Sequence, residues 1–289
     1  MTAAALWFLR LMHHLPLAML RGVGGVLGGF LYLLAGERRR VADTNLRACF
    51  PDLGAAERAR LVRATFRAFA RSLIDRSVLW YGSEDRIRKM VSIEGESSLA
   101  ALEGQSVILL APHFVGMDAG GTRLTLDRRI VSIYAAQKNA AFDRAVFAGR
   151  TRFNRPVLLS RQDGVRAAVR AMRDGLPFYY LPDMDFGSRE AIFVPFFGVP
   201  AATLTTVARL ARIAGARVVP CVTRMTAHGY VVTIEPPWPD FPSPDVEADT
   251  RRVNAFVENQ VRSMPEQYHW LHKRFKTRPP GAPPLYARH

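Results

Sequence analysis

The stretch LLAPHFVGMDAGG, residues 109–121, sets His113 and Asp118 among apolar residues and glycines. Residues five apart on a continuous helix point about 140° from each other. The two side chains can meet only if His113 lies in a turn and Asp118 in the first turn of the helix after it. Gly116 permits such a turn. A carboxylate accepting from Nδ1–H fixes the tautomer and leaves Nε2 as a base. The pair is then two thirds of a Ser-His-Asp triad, with the nucleophilic hydroxyl supplied by the substrate. A structural histidine satisfied by its neighbours fits the same residues, and spacing alone does not separate the two.

Other chemistries find less support. No G-x-S-x-G elbow, P-loop, H-E-x-x-H or G-x-G-x-x-G stands in a suitable place, which weakens hydrolase, nucleoside-triphosphatase, zincin and dinucleotide readings. Cys49 and Cys221 are far apart and outside any Cys/His cluster. Neither a zinc site nor a disulfide framework is expected, and a reducing, cytoplasmic-side setting fits.

The elements that must hold this pair are legible as alternating apolar runs. VILLA (107–111), IVSIYA (130–135), PVLLS (156–160), PFYYL (177–181), ARVVPCVT (216–223) and YVVTIE (230–235) read as strands. Helical segments fall at about 117–127, 140–153, 162–174 and 203–214, with a last one at 246–263. Short buried strands separated by helices predict an α/β fold with a mostly parallel central sheet flanked by helices. The last strand follows MTAHG closely and is expected to close a hairpin at one end of the sheet. His113 then stands at a strand's carboxyl end, the edge where open α/β sheets bind ligands.

The flanks carry a second signal. Residues 1–36 carry no formal charge apart from Arg10 and Arg21, and ERRR (37–40) follows. A simple span needs about 20 apolar residues, and an arginine near its centre costs roughly 2.5–3.5 kcal/mol on insertion scales. We therefore expect one or two interfacial helices with Arg10 and Arg21 snorkelling, a tilted span being the alternative. Residues 37–289 then form the main domain. Helix 55–80 sets Val62, Phe66, Phe69 and Leu73 on one face and Arg60, Arg63, Arg67 and Arg71 on the other. Over 289 residues the formal charge is +15, so the surface prefers anionic partners.

H-x4-D in HFVGMD resembles the motif of the lysophospholipid acyltransferase superfamily. Four further stretches resemble the bacterial lipid A biosynthesis acyltransferases. They are RRRVADTNLRACFPDL (38–53), GRTRFNRPVLLSR (149–161), YYLPDMDFGSREAIFVPFFGVPAATLT (179–205) and PEQYHWLHKRFKTRP (265–279). The resemblance implies a glycerolipid acyltransferase-like fold and transfer of a fatty acyl group from acyl carrier protein, or less often coenzyme A, to a hydroxyl of a lipid A precursor. His113 would be the general base, oriented by Asp118, with no acyl-enzyme, no metal and no cofactor. Those relatives often have Glu where this chain has Asp118; Asp is usual in glycerolipid relatives.

The resemblance also implies binding residues. Arg150 and Arg152 match a GRxR stretch and would hold headgroup phosphates; Asp183 and Asp185 follow a strand whose edge His113 should share. Arg189, beside Ser188, lies where glycerolipid relatives contact phosphate, and Lys138 and Asn139 would line the same cleft. Phe114, Met117, Phe193, Phe196 and Phe197 are expected at the floor of an acyl pocket. Acyl carrier protein, the anionic lipid precursor and the inner-membrane surface are the implied partners, the domain facing the cytoplasm. WLHKRFKTRP (270–279) reads as a packing element, not a nucleic-acid patch. The same chemistry on another lipid acceptor, or a non-catalytic lipid-binding protein, are the alternatives.

Overall fold

The structure is a computed structural model that describes residues 2–160 and 163–286. The outer ends of the two expected segments, the last residue of the 149–161 stretch and the first of the 162–174 helix lie outside the described residues.

Four helices lead the chain: α1 (Thr2–Met12), α2 (Leu17–Leu34), α3 (Gly36–Cys49) and α4 (Ala55–Tyr81). After a short α5 (Glu84–Met90) and β1 (Val91–Glu94) come α6 (Glu96–Ala100), β2 (Val107–Leu110), α7 (Met117–Asp127) and β3 (Val131–Ile133). Then follow α8 (Ala140–Arg150), β4 (Val157–Leu159), α9 (Gly164–Arg173), β5 (Phe178–Tyr180), β6 (Ala191–Phe196) and β7 (Val199–Leu204). The chain ends with α10 (Thr206–Ala214), β8 (Arg217–Thr226), β9 (Gly229–Ile234), α11 (Val246–Ser263) and a 3-10 turn at Pro265–Gln267.

Seven of the described strands form one sheet in the order β1-β9-β8-β2-β5-β3-β4. Every pairing is parallel except β8–β9, so the fold is the mostly parallel α/β sheet the apolar runs predict. All four residues of β2 are buried, as expected of a strand covered on both faces. The β8–β9 hairpin forms but does not end the sheet, because β1 pairs outside β9. One face of the sheet packs against α9, α10 and α11, the other against α7, and α4 contributes side chains to both cores. Sequence reasoning missed the separate β6–β7 hairpin. Its two prolines, Pro195 and Pro200, stand opposite each other, and proline argues against a strand unless its edge is free, as here.

The N-terminal helices are fastened to this body. A Cβ at Gly24 would lie 2.6 Å from the Cα of Arg71, and one at Gly28 the same distance from the Cα of Arg67, so the two glycines bring α2 onto the backbone of α4. Arg21 does not snorkel. Its guanidinium is buried, 3.2 Å from Asp75 Oδ2, donates to the carbonyl of Gly229 and stacks over Tyr230. A charge this deep needs a counter-ion, and Asp75 supplies it. Burial raises the Asp75 carboxyl above the usual range, and Arg21 offsets only part of that rise. The opposite face of α2 leaves Val26, Phe30 and Leu33 exposed, and α1 adds Trp7, Phe8 and Leu11. By length and composition α2 could cross a membrane.

Candidate active site

β2 and β5 are register-matched neighbours, Leu110 opposite Tyr180. His113 and Asp183 are each the third residue past those strand ends, so the sheet delivers them side by side. Asp183 Oδ1 lies 2.8 Å from Nδ1 of His113, and both carboxylate oxygens accept from the His113 backbone N–H at 3.1 Å. Burial pushes Asp183 up, yet the charge and hydrogen bonds of His113 outweigh it and hold the carboxyl below the usual range. An ionised carboxylate can only accept, so Nδ1 carries the hydrogen of this contact, and Nε2 is the nitrogen left to face the cavity edge.

This corrects the expected partnership. Asp118 does not orient His113. Its Oδ2 accepts from Arg76 at 2.6 Å and its Oδ1 from Arg150 at 2.6 Å, both guanidiniums approaching through Nε and Nη2. The imidazole turns toward β5, where Asp183 already stands, and leaves Asp118 to the arginines of α4 and α8. Burial pushes Asp118 up, but the two guanidiniums dominate and hold it well below the carboxylate range. Two cations on one anion leave the cluster with a surplus positive charge. Gly116 and Gly120 make this corner possible, since a Cβ on either would overlap Thr223 of β8. Tyr179 ties the first turn of α7 down by donating to the carbonyl of Met117.

A cavity of about 820 Å³ opens at this edge, lined by His113, Asp118, Arg150, Arg189 and His269 among mainly apolar side chains. The segment after the 3-10 turn runs antiparallel to the histidine turn: Val115 N donates to Gln267 O and His269 N to His113 O. Burial, then the nearby His113, pull His269 down to about 3, so its ring is neutral. Sequence reasoning missed Arg76 and His269. The HKRF stretch drew attention for its charges, but nothing local says that residue 269 returns to residue 113.

The remaining expected residues divide. Arg189 lines the cavity. Arg152 instead donates to the carbonyls of Leu79 and Gly82, where it satisfies the carboxyl end of α4 and is not free for a phosphate. Asp185 accepts from the backbone N–H and hydroxyl of Thr277 and pins the C-terminal segment. Asn139 caps α8 by accepting from Phe142 N, and Lys138 is an exposed residue outside the cavity lining, where Gln137 takes its place. Of the expected floor residues only Met117 lines the cavity. Phe114 and Phe196 pack in the core against Tyr268, and Phe197 packs beside Phe50. Both cysteines are buried, and burial pushes the Cys221 thiol up to about 12, which suits neither for nucleophilic attack.

Comparison with known proteins adds the following. A family described as bacterial lipid A biosynthesis acyltransferase matches residues 1–277. The lipid A biosynthesis lauroyltransferase of Escherichia coli is 31% identical over 94% of this chain and 90% of its own length. The lipid A biosynthesis palmitoleoyltransferase of the same organism is 30% identical with the same coverage. Among solved structures, the 1-acyl-sn-glycerophosphate acyltransferase of Thermotoga maritima aligns over 86% of this chain and 97% of its own, with 14% identity and a TM-score of 0.41.

Proposed function

The chain belongs to the bacterial lipid A biosynthesis acyltransferase family, and on that premise we propose that it moves a fatty acyl chain from acyl carrier protein to a hydroxyl of a lipid A precursor. The observation that carries the chemistry is the buried Asp183–His113 contact at the edge of a large, mainly apolar cavity. Nε2 of His113 takes the proton of the acceptor hydroxyl, and the oxygen adds to the thioester carbonyl carbon. The tetrahedral intermediate expels the sulfur, which leaves with the proton that His113 had taken. Asp183 holds the tautomer and stabilises the imidazolium between the two transfers. No acyl-enzyme forms.

The other residues support this scheme from the side. Asp118 ties Arg76 and Arg150 into a rigid cationic corner, and with Arg189 this corner suits an anionic headgroup. Acyl carrier protein and anionic lipid would both be steered by a chain of formal charge +15. The exposed apolar stripe of α1 and α2 would rest in the cytoplasmic face of the inner membrane, in the plane of the interface. The relatives' names include both a lauroyl- and a palmitoleoyltransferase at nearly equal identity, so likeness alone does not choose a chain length.

The test is acyl transfer by the full chain in detergent, with acyl carrier protein thioesters and an under-acylated lipid A precursor, read by mass spectrometry. One added acyl chain, absent with folded His113→Ala, is the expected result. No gain with this acceptor but gain on another lipid would move the assignment to that lipid. No transfer to any lipid would overturn the enzymatic reading.

A further inference from the structure

A second cavity, of about 380 Å³, shares no lining residue with the one beside His113. Four segments remote in sequence enclose it: the corner between α1 and α2, the last turns of α4, α5, and the β8–β9 turn. Internal ties fix these segments to one another. Arg86 of α5 donates to the carbonyls of His13 and Leu15, which clamps the corner onto α5. Arg21 of α2 donates to the carbonyls of Thr226 and Gly229, which joins α2 to the β8–β9 turn. A Cβ at Gly229 would lie 2.0 Å from the carbonyl oxygen of Met90, so the same turn sits directly on the end of α5.

The polar lining of this cavity has one sign. His14, Arg86, Lys89 and His228 line it, and no carboxylate does. Among the described residues neither Arg86 nor Lys89 has an ion-pair partner, although Arg88, between them on α5, is paired with Asp127. The two carbonyls that Arg86 meets take two of its five N–H groups and neutralise none of its charge. The other wall is apolar, made by Pro16, Leu17, Val78 and Met90.

These two walls define the chemistry of an occupant. Guanidinium, ammonium and imidazole groups from separate segments converge on one space, and together they suit a tetrahedral anion with several free oxygens better than a planar carboxylate. The apolar wall suits a carbon skeleton attached to that anion. We propose that this cavity binds a phosphate monoester, at a site separate from that of acyl transfer. The phosphate oxygens meet Arg86, Lys89 and the two imidazoles, and the alcohol part of the ester lies against Leu17 and Met90. The ligand then bridges the α1–α2 corner to the β8–β9 turn and tightens the attachment of the N-terminal helices to the body. Such a monoester is found both on a soluble sugar or glycerol and at the head of a lipid. The corner leads directly into the helices that carry the exposed apolar stripe, so either source can reach it.

The test uses the full chain and probes the two sources separately. Glycerol 3-phosphate is titrated by calorimetry into the protein in a neutral detergent. Flotation measures partition into phosphatidylcholine vesicles with and without phosphatidic acid. Lys89→Glu and His228→Ala alter exposed residues, so both variants fold. Arg10→Glu, exposed on α1 and outside the cavity, makes the same change of charge close to the apolar stripe. In whichever arm the wild type binds, Lys89→Glu is expected to weaken binding about ten-fold, the loss of one charge-assisted contact. His228→Ala should weaken it in the same direction, and Arg10→Glu by about two-fold or less. A loss seen by calorimetry makes the soluble ester a sufficient ligand, whereas a loss confined to vesicles with phosphatidic acid makes the ligand a lipid headgroup. No binding in either arm would overturn the proposal, and so would equal losses in Lys89→Glu and Arg10→Glu, which would reduce the effect to overall charge. Neither arm measures acyl transfer, so the enzymatic reading stands or falls apart from this one.

Discussion

Replacing Asp183 with Asn isolates the charge behind the proposed base. The substitution keeps the shape and one acceptor oxygen, so the hydrogen bond from the His113 backbone can survive and the turn should hold. What disappears is the negative charge that faces the imidazolium once Nε2 has taken a proton. With charge centres about 4 Å apart and an effective dielectric near 20, that interaction is worth about 4 kcal/mol. The ground state, with a neutral ring, does not feel it to the same extent, so most of the loss falls on the barrier. A barrier higher by about 4 kcal/mol slows kcat about a thousand-fold, within the range general-base catalysis supplies. The assay is initial rate against acceptor concentration for the wild type and Asp183→Asn, with thermal unfolding of both. KM should change little and the melting temperature only modestly. A folded variant that keeps more than a tenth of the wild-type kcat would refute the role given to Asp183. So would a folded Asp118→Asn that loses kcat to the same degree, because Asp118 touches arginines and not the histidine.

Asp118→Asn should act chiefly on stability. It leaves Arg76 and Arg150 without their shared anion, and breaking a buried pair costs about 3–5 kcal/mol, measurable by denaturant titration. Acidification should destabilise the protein through His269 and His272, whose folded values fall to about 3 and about 4. For depressed histidines the stabilisation is complete above the unfolded value near 6.5 and is lost as pH falls, because only the unfolded chain then takes the proton. His269 alone should contribute a loss of about 2 kcal/mol between pH 7 and 5, and His269→Gln should flatten that slope of unfolding free energy against pH. Gly28→Leu should force α2 off α4 at a cost of roughly 1–3 kcal/mol, visible as early proteolytic cleavage between the N-terminal helices and the rest. Arg21→Leu should cost more, since it strands Asp75 in the core, and Asp75→Asn in the same chain should recover part of the lost melting temperature.

The sheet was readable because its strands are short β-branched and aromatic runs cut apart by helices, and α7 and α11 fall at the residues the pattern marks. The β6–β7 hairpin, interrupted by Pro195 and Pro200, and the edge strand β1, which alternates buried and open positions, have weaker signals and escaped. The site was half legible. His113 and Asp118 stand out by type and spacing, but spacing along the chain describes only local geometry. Asp183 reaches His113 because β2 and β5 pair in a given register, and Arg76 reaches Asp118 from α4, 42 residues earlier. Such partners are fixed by tertiary packing, which no local periodicity encodes. Arg152 misled for the opposite reason, since a basic residue beside a cleft looks like a ligand group until the carbonyls it satisfies are known.

The two connectors that end in His113 and Asp183 are equal in length, three residues beyond strands whose hydrogen bonds lock their register. One residue more or fewer in either would displace its side chain by about 3.3 Å along the strand axis, well beyond what a hydrogen bond tolerates. An insertion or deletion confined to one connector would therefore part the two side chains. Chain-length drift is free to collect in the turns at the opposite end of the sheet. The edge that carries His113 and Asp183 is a place where an alignment should run without gaps even when the residue types change.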